Sequence, residues 1–514
     1  MRISLTILII LAACSTAKAQ SSPTCGSLND SRIHIAAHYA TASEEHYDGS
    51  TIGPPASVGG TITDNTYGCT IRRLTNSTVS PANGNFCNHE YSNMSPVNAN
   101  DTLVLLSCNS YFLTDLSGNV IVPRGSLPWG GGEGCRWDPV NPLVCYYIVN
   151  PGSGNVLYKL TVPSNYSSCA PSCTVTSTTL HTFSEYTHID FGGGEGDMFS
   201  PDHIVLDGVR TSDGSTDIFV YTISTDTKGP VYNFTQSFDN VQITGSNQMV
   251  VNWGGSHIQT PFGSCTSGPC LTGFELFGAP CSGIGCTPAN ANYVRHLSDT
   301  NNHSVESRDD SGNDIVVTFD TYPRIPGCAG SGNGGQGGVE TIRVDGSGVT
   351  CIMVATPWSG DAHLGSTRNL VGNNWIEFSD EDGSSFSGTS SASYPLNANW
   401  NQPTNANNNP TTAGQWGYLN NDSAILSPDG SRIYRVFQSR SRPGPSDYWK
   451  VSRDSISRDG AYVIFDSDFG LGQIYGGITD YTDAYVVATG IKNTSTAPVP
   501  DAPQPPTDLK VVVD

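Results

Sequence analysis

One pattern recurs seven times along this chain, and any proposed fold must first account for that recurrence. A small or aromatic residue leads into Ser or Trp, then Pro or Asp with a turn, then a short β-prone run. The copies are MSPVNANDTLVLL (Met94–Leu106), RWDPVNPLVCYY (Arg136–Tyr147), MFSPDHIVL (Met198–Leu206), QITGSNQMVVN (Gln242–Asn252), SRDDSGNDIVVT (Ser307–Thr318), TRNLVGNNWIEF (Thr367–Phe378) and SISRDGAYVIFDSD (Ser455–Asp468). Each reads as strand, turn, strand, because Asp-Gly and Asn-rich tetrads supply the turn. A second β-prone element follows most copies, as in DIFVYTIS (Asp217–Ser224) and VETIRVDGSG (Val339–Gly348). Four-stranded units repeated about an axis make a β-propeller, so the expected fold is all-β and seven-bladed, within residues 65–490.

A ring must close. The last unit ends at DAYVVAT (Asp483–Thr489) one strand short, and CTIRRLT (Cys69–Thr75), upstream of the first copy, supplies a strand from the start of the chain. Ser427-Pro428-Asp429-Gly430 lies too near Ser457 to open an eighth blade and reads as an outer hairpin of blade six. The competing architecture is a multi-sheet sandwich, which also spaces short strands regularly.

Composition agrees with strands and turns. Charged residues are 14%, Gly and Pro number 56 and 32, and no long stretch shows helical apolar periodicity. The net charge of −22 argues against nucleic-acid binding, which relies on Lys and Arg patches.

Residues 1–19 read as a signal peptide: Arg2, an apolar run Ile3–Ala13, then Ala17-Lys18-Ala19. Leu11-Ala12-Ala13-Cys14 allows a lipoprotein reading, with Cys14 acylated. No later run is long enough to be transmembrane. Cleavage after Ala19 removes one of 15 cysteines and leaves an even number, as a disulfide-bonded secreted or periplasmic protein would have. Close spacing suggests Cys135–Cys145, Cys169–Cys173, Cys265–Cys270 and Cys281–Cys286 as local pairs, although spacing alone does not fix connectivity. Residues 20–64 form an N-terminal extension that could wrap one face of the ring. Residues 491–514 are a Pro-rich linker with a terminal DLKVVV, either a tail or a strand that self-assembles on a neighbouring sheet edge.

SPDGSR (Ser427–Arg432) and SRDGAYVIFDSD (Ser457–Asp468) resemble TolB-like propeller repeats. Within that superfamily the chain is similar to oligogalacturonate lyases, a resemblance that implies seven blades and a divalent metal held mainly by His in the central funnel. Those enzymes carry His and Gln just before the last blade's strand. The matching stretch here, DYWKVSRDSISRDG (Asp447–Gly460), has neither.

Two near-repeats stand out: GGGEGCRWD (Gly130–Asp138) and GGGEGDMFS (Gly192–Ser200). Each places a Glu before what reads as a blade's first strand, where segments border the axis. Other blades hold His89 (NHEYS), His303 (NNHSVE), His363 (GDAHLGS) and Asp239 at that place, and blade seven holds Trp449 with Arg453. The expected site is therefore a ring around one mouth. His303 and His363 would act as catalytic acid–base groups, since imidazole titrates near neutrality. His89, His303 and His363 could hold one divalent cation, Mn or Ca. Glu133, Glu195, Arg368, Trp449 and Arg453 would bind ligand. The bland alternative is a polar channel lining with no role.

Three functions fit. The first is a secreted propeller that binds an extracellular glycan or protein through its funnel face. The second is a metal-assisted polysaccharide (uronate) lyase. The third is a structural component assembling through its C-terminal strand. Weaker motifs add little: Arg324-Ile325-Pro326 stands without Asp-boxes, Asp309–Asp314 and Asp380–Asp382 read as hairpin turns, and Trp400 lies in an Asn-rich loop.

Overall fold

The structure is a computed structural model. It describes residues 21–29, 46–47, 50–51, 54–64, 67–77, 86–129, 134–150, 152–253, 267–299, 303–320, 328, 338–354, 361–370, 372, 374–381, 422–439, 452–467, 469 and 482–491. Seven antiparallel sheets stand in a ring, as the repeats predict. Blade one pairs Val104–Ser107, Tyr111–Thr114 and Val120–Val122, with Val97 bridging Val104. Blade two runs Arg136–Trp137, Val144–Ile148, Val156–Thr161 and Thr176–Thr182. Blade three runs Tyr186–Asp190, His203–Arg210, Thr216–Thr222 and Thr227–Phe234. Blade four runs Asn240–Ile243, Met249–Asn252, Phe274–Phe277 and Tyr293–Ser298. Blade five runs Ser304–Arg308, Asp314–Asp320, Gly338–Arg343 and Val349–Val354.

Blades six and seven each gain a fifth strand from the N-terminal extension. Blade six pairs Asp361–Ser366, Ile376–Glu381, Asp422–Leu426 and Ile433–Gln438, with Ser27–Leu28 on its outer edge. Ser427-Pro428-Asp429-Gly430 turns its third strand into its fourth, as expected. Blade seven pairs Ser455–Ile456, Tyr462–Ser467 and Asp483–Ala488 with Thr70–Arg73 and then Thr61–Thr63. The N-terminal strand thus closes the ring. Its seam is charged as well as paired: Arg73 Nη2 lies 2.5 Å from Asp483, whose other oxygen accepts from Thr75 Oγ1 at 2.8 Å.

Side chains alternate along each strand, and both faces of every sheet are apolar. Ile204, Leu206 and Phe219 pack toward blade two, while Val205, Ile218 and Val220 pack toward blade four. Seven such cores fill the seven gaps. The core of Leu74, Val104, Leu106, Ile464 and Val486 joins blade seven to blade one. Two stacked layers would not give this circular series, so the sandwich is excluded.

Six disulfides join described residues: Cys25–Cys69, Cys87–Cys108, Cys135–Cys145, Cys169–Cys173, Cys281–Cys286 and Cys328–Cys351. Three of these are pairs expected from spacing. Cys270 is also disulfide-bonded, but Cys265 lies outside the described residues. The disulfides fit an extracellular or periplasmic setting. Among the described residues, no helix is long and apolar enough to cross a membrane.

Candidate axial site

The segments that lead into the inner strands bring polar groups from several blades together. Tyr91 of blade one lies between His303 of blade five and His363 of blade six: its Oη is 3.1 Å from Nε2 of each. The two imidazoles stack, with centroids 4.4 Å apart. His303 Nδ1 faces the Ala362 carbonyl at 2.8 Å, so it carries a proton. In neutral His303, Nε2 then accepts from the Tyr91 hydroxyl, which in turn accepts from His363 Nε2–H. His363 is fully buried. Burial, with His303, Arg453 and His89 nearby, holds its pKa well below the usual imidazole value.

Glu195 stands beside this relay. Residues 192–194 all have positive φ, which glycine adopts freely. A Cβ on Gly192 would lie 2.1 Å from the Val241 carbonyl oxygen, and one on Gly193 would lie 2.5 Å from that of Asp239. The glycine run therefore lets the loop cross blade four closely and deliver Glu195 to its first strand. Arg136 fixes the loop, donating from Nε to the Gly196 carbonyl at 2.5 Å and from Nη2 to that of Gly194 at 2.6 Å. Glu90 anchors Arg136 at 2.9 Å.

The Glu195 Oε2 atom accepts from Asn240 Nδ2 at 2.9 Å and from Asn93 Nδ2 at 3.2 Å. The same Asn240 nitrogen lies 3.3 Å from Asp239 Oδ2, which also accepts from Asn252 at 3.0 Å. Burial and the Asp239 charge push the Glu195 carboxyl up to about 7, against the pull of His303. Burial also raises Asp239, with His303 and Asn240 opposing. Tyr91, Glu195 and His303 are partly exposed and Asp239 is exposed, so solvent reaches this cluster.

Two residues further on, the loop delivers Asp197 to a second, buried network. Asp197 pairs with Arg458 at 2.8 Å and Arg368 at 3.2 Å. Arg458 also donates to the Met198 carbonyl, and Arg368 to that of Asn93. Burial alone would raise Asp197, but Arg458 and Arg368 outweigh it and hold the carboxyl below its ordinary value.

The expected ring is thus assembled in part. His303, His363, Glu195 and Asp239 come together. His89 approaches but cannot ligate a metal as placed: Nε2 faces the Arg453 carbonyl at 2.5 Å and Nδ1 faces Asp466 at 3.0 Å. Arg368 belongs to the Asp197 network, and Arg453 is 1% exposed beside Asp466. Glu133 and Trp449 lie outside the described residues, as do residues 1–20, Arg324, Trp400 and 492–514. The first strand of blade three, Tyr186–Asp190, precedes the Gly-rich segment, so Glu195 sits between the first and second strands instead of before the first.

A divalent centre on His89, His303 and His363 does not fit this geometry. With His89 engaged, the other two imidazoles turn their Nε2 atoms to one tyrosine hydroxyl. Among the described residues, metal-type donors converge in threes only at His203, Cys281 and Cys286, where the two cysteines form a disulfide. Tyr91, Asn93, Asn240, Asp197, Arg136 and Arg458 were not singled out by sequence reasoning. Tyr91 and Arg136 do lie inside the quoted motifs NHEYS and GGGEGCRWD.

No protein-family model and no curated protein matches the chain. Among solved structures, it is similar to an oligogalacturonate lyase from Vibrio parahaemolyticus, with 12% identity, TM-score 0.48, and coverage of 83% of this chain and 96% of that one. An oligogalacturonate lyase in complex with manganese gives 10% identity, TM-score 0.47, and coverage of 84% and 95%. TolB from Acinetobacter baumannii gives 13%, 0.29, and 70% and 67%. The chain is a seven-bladed β-propeller on the strength of its own strand pairing, and likenesses this distant add no functional argument.

Proposed function

We propose that this protein binds an extracellular glycan at the axial mouth formed by Tyr91, Glu195, Asp239 and His303. The observation that carries the reading is the convergence of these solvent-reached groups from four blades, held in place by Asn93 and Asn240. Sugars are recognised by fixed arrays of carboxyl, imidazole and amide groups that match adjacent hydroxyls, with an aromatic ring beside them. Carboxyl groups at the mouth and a net charge of −22 favour a neutral glycan over a polyanionic one. This also counts against the uronate-lyase reading, whose cation would need the histidine trio that His89 leaves incomplete.

An array of immobilised neutral polysaccharides and oligosaccharides, followed by calorimetry on the best binder, tests this. Asp239→Ala and His303→Ala are each expected to weaken binding by about tenfold or more, the scale of one charged hydrogen bond. No binding across the array, or binding unaffected by both substitutions, overturns the proposal.

A further inference from the structure

The geometry points to a glycoside hydrolase pair in this mouth, with Glu195 as general acid and Asp239 as nucleophile. This rests on the glycan-binding reading and assigns it a reaction. One amide nitrogen, Asn240 Nδ2, contacts Glu195 Oε2 at 2.9 Å and Asp239 Oδ2 at 3.3 Å. It can do so only if the two oxygens lie within about 6 Å of each other. Retaining glycosidases space their carboxyls by about 5–5.5 Å, inverting ones by about 6.5–9.5 Å. The bound on this oxygen pair admits the retaining spacing and is shorter than the inverting one.

The two carboxyls also sit in unlike surroundings. Glu195 is partly buried in the loop and takes amide donors from Asn93 and Asn240, while Asp239 is exposed at the rim. Burial and Asp239 raise Glu195 to about 7, so near neutrality it keeps a proton to give; burial raises Asp239 as well, but Asp239 is the more exposed of the two. His303 opposes the rise at both groups, so its ring lies near enough to act on each electrostatically.

Buried oxygens beside the pair take no hydrogen bond from other described residues. Asn93, 2% exposed, donates to Glu195, yet its Oδ1 has no donor among the described residues. Glu306, 1% exposed on the first strand of blade five, takes no hydrogen bond from another described residue and interacts electrostatically with Arg368 and then Glu195. Such groups call for a guest or water to complete them.

In the reaction, Glu195 gives its proton to the glycosidic oxygen. The C1–O bond breaks, and its electron pair leaves with that oxygen as an alcohol. The Asp239 carboxylate adds to C1 to form a glycosyl ester. Water then attacks C1, Glu195 takes the water's proton, and Asp239 is released as carboxylate. The balance is one glycoside and one water to one hemiacetal and one alcohol. Arg136 acts as a positioning residue, through the carbonyls on either side of Glu195.

The test uses 4-nitrophenyl α- and β-glycosides of glucose, galactose, mannose, xylose and N-acetylglucosamine with the full chain. Turnover with retention of anomeric configuration is expected, falling as pH rises through about 7. Glu195→Gln and Asp239→Ala should each lower it by about 10²–10⁴-fold. Azide should restore turnover to Asp239→Ala and yield a glycosyl azide, which a merely misfolded variant would not give. No turnover of any glycoside by protein that still binds glycan overturns the hydrolase and leaves the binding reading intact. Turnover unaffected by both substitutions also overturns it. Neither turnover nor binding removes both.

Discussion

Glu195 and Asp197 lie two residues apart in one loop, and the fold treats them in opposite ways. Asp197 is buried against Arg458 and Arg368, and its proton is held less tightly than usual. Glu195 has amide donors and a partial view of solvent but no paired guanidinium among the described residues, and its proton is held more tightly. Burial pushes both carboxyls in the same direction, so the available cations decide the outcome. Matched charge at Asp197 makes a tie between blades three, six and seven. Unmatched charge at Glu195 makes a group that can exchange protons near neutral pH.

Asp197→Asn probes this contrast most strongly. It leaves the surrounding guanidiniums without their carboxylate and is expected to cost about 3–5 kcal/mol in denaturant unfolding at neutral pH. The loss should shrink in acid, because a carboxyl with a lowered native pKa stabilises only while ionised. Glu195→Gln should leave stability nearly unchanged. Equal losses from both would erase the distinction.

Glu377 and Asp454 extend the comparison to a fully buried pair that, like Glu195, has no paired arginine among the described residues and whose donors are hydroxyls. Ser423 donates to Glu377 at 2.9 Å, and Ser452 donates to Asp454. Burial pushes Asp454 up to about 7; burial and then Asp454 push Glu377 well above the usual range. The native pair thus holds protons that the unfolded chain releases near pH 4, so stability falls as pH rises from about 4 to 7. Asp454→Asn is expected to stabilise the protein by about 1–2 kcal/mol at pH 8 and to make no difference below about pH 4. No gain at pH 8 in urea melts would contradict this.

Arg136→Lys gives the smallest expected effect. A lysine cannot fork onto two carbonyls, so the loop around Glu195 should loosen. Glycan affinity is expected to fall by about tenfold with only a modest change in unfolding midpoint. Unchanged affinity would show that the grip of Arg136 on Gly194 and Gly196 does not position Glu195.

The repeats made most of the fold legible. Turn chemistry at Asp309–Asp314 and Ser427–Gly430 marked hairpins, and the two orphan strands at Cys69 and Asp483 foretold the closure. The site was legible only in outline. His303, His363 and Asp239 could be found because they share a place at the entry to a blade's first strand, and Glu195 because its Gly-rich segment read as if it did too. Tyr91, Asn93 and Asn240 could not, because their partners sit on other blades at heights the repeat does not encode. His89 misled for the same reason: nothing in the sequence shows that the Arg453 carbonyl and Asp466 occupy its ring nitrogens. In blade three the strand before the glycine run went unread, and the apparent position of Glu195 shifted with it.

Proton affinity at Glu195 can be read directly. Carbon NMR of protein labelled at the glutamate carboxyls, with the resonance assigned by its loss in Glu195→Gln, would follow that one group through a pH titration. A midpoint near 7, moving down when Asp239 is replaced by Asn, is the expected result. A midpoint near the ordinary glutamate value of about 4.3, indifferent to Asp239, would show the mouth to be a solvated polar rim.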